Sequence, residues 1–248
     1  MFGFQYITRM VNGVLTARAL EELETATGGP HLTLSRADDP GVSAGYLRLW
    51  RGSGDHLIDR MIHFRLISDP VETQLFFLFG RRSTPMPHFH VQVVQFGPDA
   101  CVFNADYLPR LDPVEHPGYF TEVFAPITKP YWQAINDKDN VCARAPASPA
   151  IAQYLSPWRI GCPRPTDRAE LDRVSPMIGA FLSHYLDLSA ALAYAGSGAG
   201  PLRDRDHRHL DLFFDDRLDP RAWKGVYGVI GEDAGRRVKD IFKTELRS

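Results

Sequence analysis

The chain has 248 residues, 44% of them hydrophobic and 23% charged, with a formal net charge of −2. That balance suits a soluble globular chain with a substantial core, and it offers no basic excess to argue for a nucleic-acid partner. No run approaches the ~18 apolar residues of a membrane span, and residues 1–10 lack a secretory signal, so a cytoplasmic location is expected.

Residues 8–27 read as an amphipathic helix on the spacing of Met10, Val14, Leu15, Ala19, Leu20 and Leu23, stopped by Gly28-Gly29-Pro30. Six strand-like segments follow without a helical interruption: 31–37, 45–51, 56–67, 73–80, 88–96 and 100–107. Turn residues separate them, among them Asp38-Asp39-Pro40-Gly41 and Gly97-Pro98-Asp99. These connections are too short for crossover helices, which predicts antiparallel neighbours. The segment Gln74-Leu75-Phe76-Phe77-Leu78-Phe79 is apolar on both faces, the mark of a central strand covered on both sides.

Residues 118–136 read as helical, interrupted by Pro126 and Pro130, and Ala143 to Pro149 as a proline-rich connector. A short element around Ile151 to Ile160 comes next. A long helix then starts at Asp167, an N-cap with Glu170 three residues on as a capping box. Pro176 is expected to kink or restart it, with Ser175 as a second cap. Gly196-Ser197-Gly198-Ala199-Gly200 reads as a flexible break before two or three closing helices. The expectation is one domain over 1–248, a three-layer α/β/α sandwich whose central, mainly antiparallel sheet has about six strands.

Chemistry is sought where polar groups interrupt an apolar strand. In His88-Phe89-His90-Val91-Gln92 the alternation puts His88, His90 and Gln92 on one sheet face. The HxH pair invites a metal reading, but no Glu follows at metal-ligand spacing, and in His207-Arg208-His209 the imidazoles diverge on a helix. One solvent-facing and one hydrogen-bonded histidine, or an acid/base or ligand-binding role, are the competing readings. His63 lies on the strand Met61 to Leu66, where a buried structural histidine is the plain alternative. Asp219 before Pro220-Arg221 is a good N-cap in its own right. Cys101, Cys142 and Cys162 form no CxxC pair and read as reduced, buried thiols. No Walker A sequence, GxSxG elbow, HExxH or dinucleotide fingerprint occurs, so a redox role would need an outside electron donor.

The order of elements resembles the ferredoxin-dependent bilin reductases, a family that also includes the red chlorophyll catabolite reductases. Residues 87–94, then Gly97-Pro98, then Ala105-Asp106-Tyr107-Leu108-Pro109, are similar to the family block "LPFFGADLV…PGG…I.DLSP". Ser156-Pro157-Trp158 through Arg164-Pro165 resembles its "FS…IRP" strand, and Leu218-Asp219-Pro220-Arg221 its "NDPAR" pattern. Ile230-Gly231-Glu232 resembles "FGE.W". The likeness spans roughly residues 30 to 246 and rests on order and spacing.

This resemblance implies a linear tetrapyrrole of the biliverdin type, bound between the sheet and the C-terminal helices. It implies no bound cofactor, and single electrons from a [2Fe-2S] ferredoxin. The family's main proton-transfer aspartate falls on Gln92, which hydrogen-bonds but delivers no proton. The histidine that many members carry on the preceding strand falls near Leu75. Asp219 matches the second acidic position, His63 a strand histidine, and Arg65 the position of an acidic residue near it. His90 shares the face of Gln92 and is a stand-in proton donor. Arg221 and Arg144 are the expected propionate anchors. Arg203, Arg205, Arg208, Arg236, Arg237 and Lys239 are candidates for a basic rim facing an acidic ferredoxin. Three functions stay open: a ferredoxin-dependent bilin reductase, a non-catalytic tetrapyrrole-binding protein, and a metal-dependent enzyme built on the HxH strand.

Overall fold

Seven strands follow one another because turns, not helices, separate the segments between Leu20 and Leu108, and an eighth joins the same sheet after an intervening run of helices. The structure is a computed structural model that describes residues 1–53, 56–136, 142, 149–194 and 199–244. The strands are β1 (Leu20–Glu22), β2 (Leu32–Ser35), β3 (Ser43–Gly52), β4 (Ile58–Ser68), β5 (Val71–Gly80), β6 (His88–Phe96), β7 (Ala100–Leu108) and β8 (Ile160–Asp167). Their order is β1-β3-β4-β5-β6-β7-β8, with β2 also pairing β3, and every pair is antiparallel.

The helices are α1 (Phe2–Ala17), α2 (Pro117–Tyr119), α3 (Ala125–Ile135), α4 (Pro149–Ala152), α5 (Arg168–Ala191), α6 (Ala199–Phe213), α7 (Pro220–Ile230) and α8 (Glu232–Lys243), with a π-helical turn at Phe120–Phe124. Helices α1, α3 and α5 cover one face of the sheet, and α6, α7 and α8 the other. This is the predicted three-layer sandwich. The central strand β5 shows why two layers form. Phe76 and Leu78 enter the core under α1 and α5, while Phe77 and Phe79 enter the core under α6 and α8. Each buried phenylalanine contributes roughly 1.5–3 kcal/mol by leaving water.

Four expectations change. The first helix covers residues 2–17 rather than 8–27, because Tyr6, Ile7, Met10, Val11 and Val14 bury one face and Arg18 turns extended. Leu20 fits a helical period, yet the chain there pairs with Gly52 at the edge of β3. The sheet has eight strands rather than six, with β1 and β8 the additions. Pro176 does not restart α5 as a separate helix; Arg168–Ala191 is continuous, and the Ser175 hydroxyl donates back to the Leu171 carbonyl at 2.7 Å instead of capping a new one. Asp167 does cap α5, accepting from the Glu170 amide at 3.0 Å, but Glu170 turns to Arg173 at 2.6 Å instead of closing the box. The three cysteines are buried and free of disulfides. Gly196, Ser197 and Gly198 lie outside the described residues.

Candidate functional site

A cavity of about 550 Å³ lies between the sheet and the C-terminal helices. Its floor is one face of β4 to β7, with Phe64, Leu75, Phe77, His90, Gln92 and Asn104. Its roof is the end of α6 with α7 and α8, including Phe213, Trp223, Val226 and Phe242. The strand registers explain the floor: Phe64 pairs with Leu75, Leu75 with Gln92, and Gln92 with Asn104, so all four project to the same side. Most of the lining is apolar; the amide, imidazole and charged groups gather at the β6–β7 side and at the start of α7, and Ser68 and Thr73 lie at the β4–β5 end.

His90 is 3% exposed, stacks on Phe77 with ring centroids 5.0 Å apart, and meets the edge of Phe213 at 5.8 Å. Its Nε2 lies 3.5 Å from the amide nitrogen of Asn104. Burial pushes its pKa down to about 3, helped by the nearby charges of Arg159 and His88, so the ring is a neutral imidazole at neutral pH. Gln92 is half-buried beside it on the same strand face. Asp219 caps α7, accepting from the Ala222 amide at 3.1 Å, with Pro220 in the first helical position. One carboxylate oxygen serves the cap, and the residue also lines the cavity. Arg221 lies exposed on the first turn of α7, at the cavity rim.

The other site candidates sit elsewhere. His88 shares the face of His90 but lies outside the cavity lining. Its Nδ1 accepts from the Gly80 amide at 3.1 Å, and its Nε2 lies 2.7 Å from Asp206 on α6. Arg82 and Arg110 also approach Asp206, at 3.1 and 3.0 Å, as ion pairs without hydrogen-bond alignment. Burial holds the His88 pKa near about 4. Burial opposes the Asp206 carboxylate, yet the His88 N–H and the two guanidinium groups keep its pKa well below the usual range.

His63 and Arg65 project from the opposite face of β4, because Phe64 and Leu66 take the cavity side of the alternation. His63 Nε2 lies 2.7 Å from Gln74 Oε1, beneath the rings of Phe4 and Tyr46. Arg65 forms a bidentate pair with Glu72 at 3.2 and 3.1 Å. Neither reaches the cavity. Arg144 lies outside the described residues.

The HxH strand is no chelate, since His88 spends Nδ1 on a backbone amide and His90 is packed between aromatic rings. Among the described residues no three His, Cys, Asp or Glu side chains converge on a metal position. His207 and His209 diverge as the helix requires, one pairing Asp211 in solvent and the other stacking on Tyr154. The basic rim is thinner than its sequence. Arg205 donates to the Pro109 carbonyl at 2.7 Å, Arg236 pairs with Glu232, and Lys239 is buried against Asp216 and Trp223.

Three polar residues beside the cavity were not singled out from sequence: Asn104, Asp106 and Arg159. Asn104 and Asp106 stand opposite Gln92 and His90 across the β6–β7 hairpin, so counting back from the Gly97-Pro98-Asp99 turn would have found them. Arg159 precedes β8 and carried no periodic signal. Its Nη1 donates to Asn104 Oδ1 at 3.1 Å. Asp106 is fully buried, with Ser156 donating its amide at 2.8 Å and its hydroxyl at 2.5 Å, and burial raises its pKa to about 7.

No family model matches this sequence, and no curated protein matches it. A solved structure does: selenomethionine phytochromobilin synthase from tomato in complex with biliverdin, with a TM-score of 0.71 at 14% identity. The match covers 96% of this chain and 81% of that one. The two chains share a fold. At that identity the likeness speaks for architecture, a mainly antiparallel sheet between helical layers, and leaves the chemistry to the residues of the site. No helix among the described residues is long and apolar enough to cross a membrane.

Proposed function

We propose that the cavity binds a linear tetrapyrrole of the biliverdin type, and that the chain reduces it with electrons delivered singly by an external [2Fe-2S] ferredoxin. The cavity itself carries the reading. It falls within the ~300–1,000 Å³ range of small-molecule sites, with apolar walls broken by a few convergent polar groups. The shared fold with a synthase crystallised with biliverdin, and the sequence resemblance to bilin reductases, point to the same ligand class.

The residues suit such a ligand. Phe64, Leu75, Val226 and Phe242 offer apolar surface to the conjugated ring plane. The Gln92 and Asn104 amides can pair with pyrrole N–H and lactam oxygen. Each two-electron reduction also consumes two protons. Asp219 is the carboxyl at the wall, and His90 is an imidazole that relays a proton through its single ring N–H. Nothing in this scheme needs a bound cofactor.

Gln92 favours a second reading, a tetrapyrrole-binding protein without turnover. An amide stands where the resemblance places the main acid, and His90 is neutral beside it.

Binding is tested by titrating biliverdin and following its visible absorption. A saturable one-to-one shift is expected, and it should be lost in Gly225→Trp. Gly225 lines the cavity with open space around its Cα, so the indole would occupy the ligand volume. Absence of any shift with the wild-type chain would reject the tetrapyrrole reading.

A further inference from the structure

We propose that Arg159 is the anion anchor of the cavity, holding a carboxylate of the ligand against the His90–Asn104 corner. The inference deepens the reading above and rests on that cavity being the ligand site, though not on the ligand being a tetrapyrrole.

Four observations carry it. Arg159 lines a largely apolar cavity. Its Nη1 is fixed by Asn104, while its Nη2 is shut off from solvent and has no hydrogen-bond partner among the described residues. The carboxylate that most favours its charge is Asp106, yet both Asp106 oxygens are engaged by Ser156. Finally, the backbone makes room for this posture. A Cβ on Gly161 would collide with Arg159 Nη1 and lie 2.9 Å from Asn104 Oδ1, so glycine there lets the guanidinium fold over β8.

A guanidinium nitrogen shut off from water with an idle N–H is costly unless an acceptor completes it. A carboxylate matches its planar donor geometry, and burial strengthens the pair. The exposed Arg221 at the rim has neither property. Arg159 therefore sets which end of an amphipathic ligand enters first and selects acids over their esters.

The test compares acid with ester and charged with uncharged probes. Biliverdin and its dimethyl ester are titrated against the wild-type chain, Arg159→Gln and Arg221→Gln. So are anilinonaphthalene sulfonate and the uncharged phenylnaphthylamine. The wild type is expected to prefer the anionic member of each pair by about tenfold or more. Arg159→Gln should lose that preference while binding the uncharged probes as before, which also shows that it folds. Arg221→Gln should keep most of it. Gly161→Ala, which keeps the charge but displaces it, should weaken anion binding as well. A wild type without anion preference, or a preference that survives Arg159→Gln, overturns the anchor. If the dyes show the preference while neither bilin binds, the anchor stands and the tetrapyrrole reading fails.

Discussion

Asp106 stands directly across the β6–β7 ladder from His90 and shares its face of the sheet. Burial lifts its pKa to about 7, so the folded chain keeps a proton that the unfolded chain releases near 3.8, the ordinary aspartate value. The contribution of that proton to stability is complete below the unfolded pKa and lost as pH rises through the folded one. The loss has an upper bound of about 4 kcal/mol at ~1.4 kcal/mol per unit. Asp106→Asn cannot ionise; its oxygen can still accept from the Ser156 amide, while its NH2 must donate to the Ser156 hydroxyl, which reverses that contact. Urea unfolding should show the variant gaining on the wild type between about pH 4 and about pH 7, with little further change above that. A difference that does not change with pH would contradict this assignment.

His63 lies on the far face of β4, under α1. His63→Gln should leave biliverdin affinity within about twofold of wild type, with any effect appearing as reduced stability at a lost buried hydrogen bond. A large loss of affinity, with the fold intact by circular dichroism, would return His63 to the site.

Asp206 gathers His88, Arg82 and Arg110 in a buried cluster that seats α6 on the sheet. Asp206→Asn would leave two guanidinium groups buried without their counter-charge. The expected cost is about 3–5 kcal/mol in chemical denaturation, with weaker ligand binding because α6 helps roof the cavity. Unchanged stability would mean that the cluster is not what holds α6.

Much of the architecture was legible from sequence because it depends on local rules. Turn residues set the hairpins from β3 to β7, and the doubly apolar β5 announced a layer on each face. Periodicity extends the first helix too far because Leu20 and Leu23 fit a helical period, while edge pairing with β3 decides their conformation. The site was half legible. Alternation groups His90 with Gln92, but it cannot say which face of β4 meets the cavity, so the matched positions of His63 and Arg65 carry no information on whether they reach it. Arg159 was invisible, since its role depends on a bend over Gly161 and on a cross-strand asparagine.

Asp219 offers a clean separation of roles. Asparagine caps a helix about as well as aspartate, so Asp219→Asn should preserve stability and binding. Turnover should fall by ~10²–10⁴ if the carboxyl delivers a proton. Gln92→Asp, which supplies an acid where the wild type has an amide, should raise the rate. Single-turnover absorbance under anaerobic conditions reads both. Equal rates for wild type and Asp219→Asn would remove Asp219 from the proton path.

Whether the chain turns over its ligand is decided by anaerobic reduction of the bound bilin. The chain is mixed with biliverdin and its spectrum recorded, and a [2Fe-2S] ferredoxin with its reducing system is then added. A bound spectrum that bleaches and gives way to reduced-bilin bands is expected, at a rate lowered by Asp219→Asn. A bound spectrum that stays unchanged under reduction would contradict the reductase and leave a binding protein.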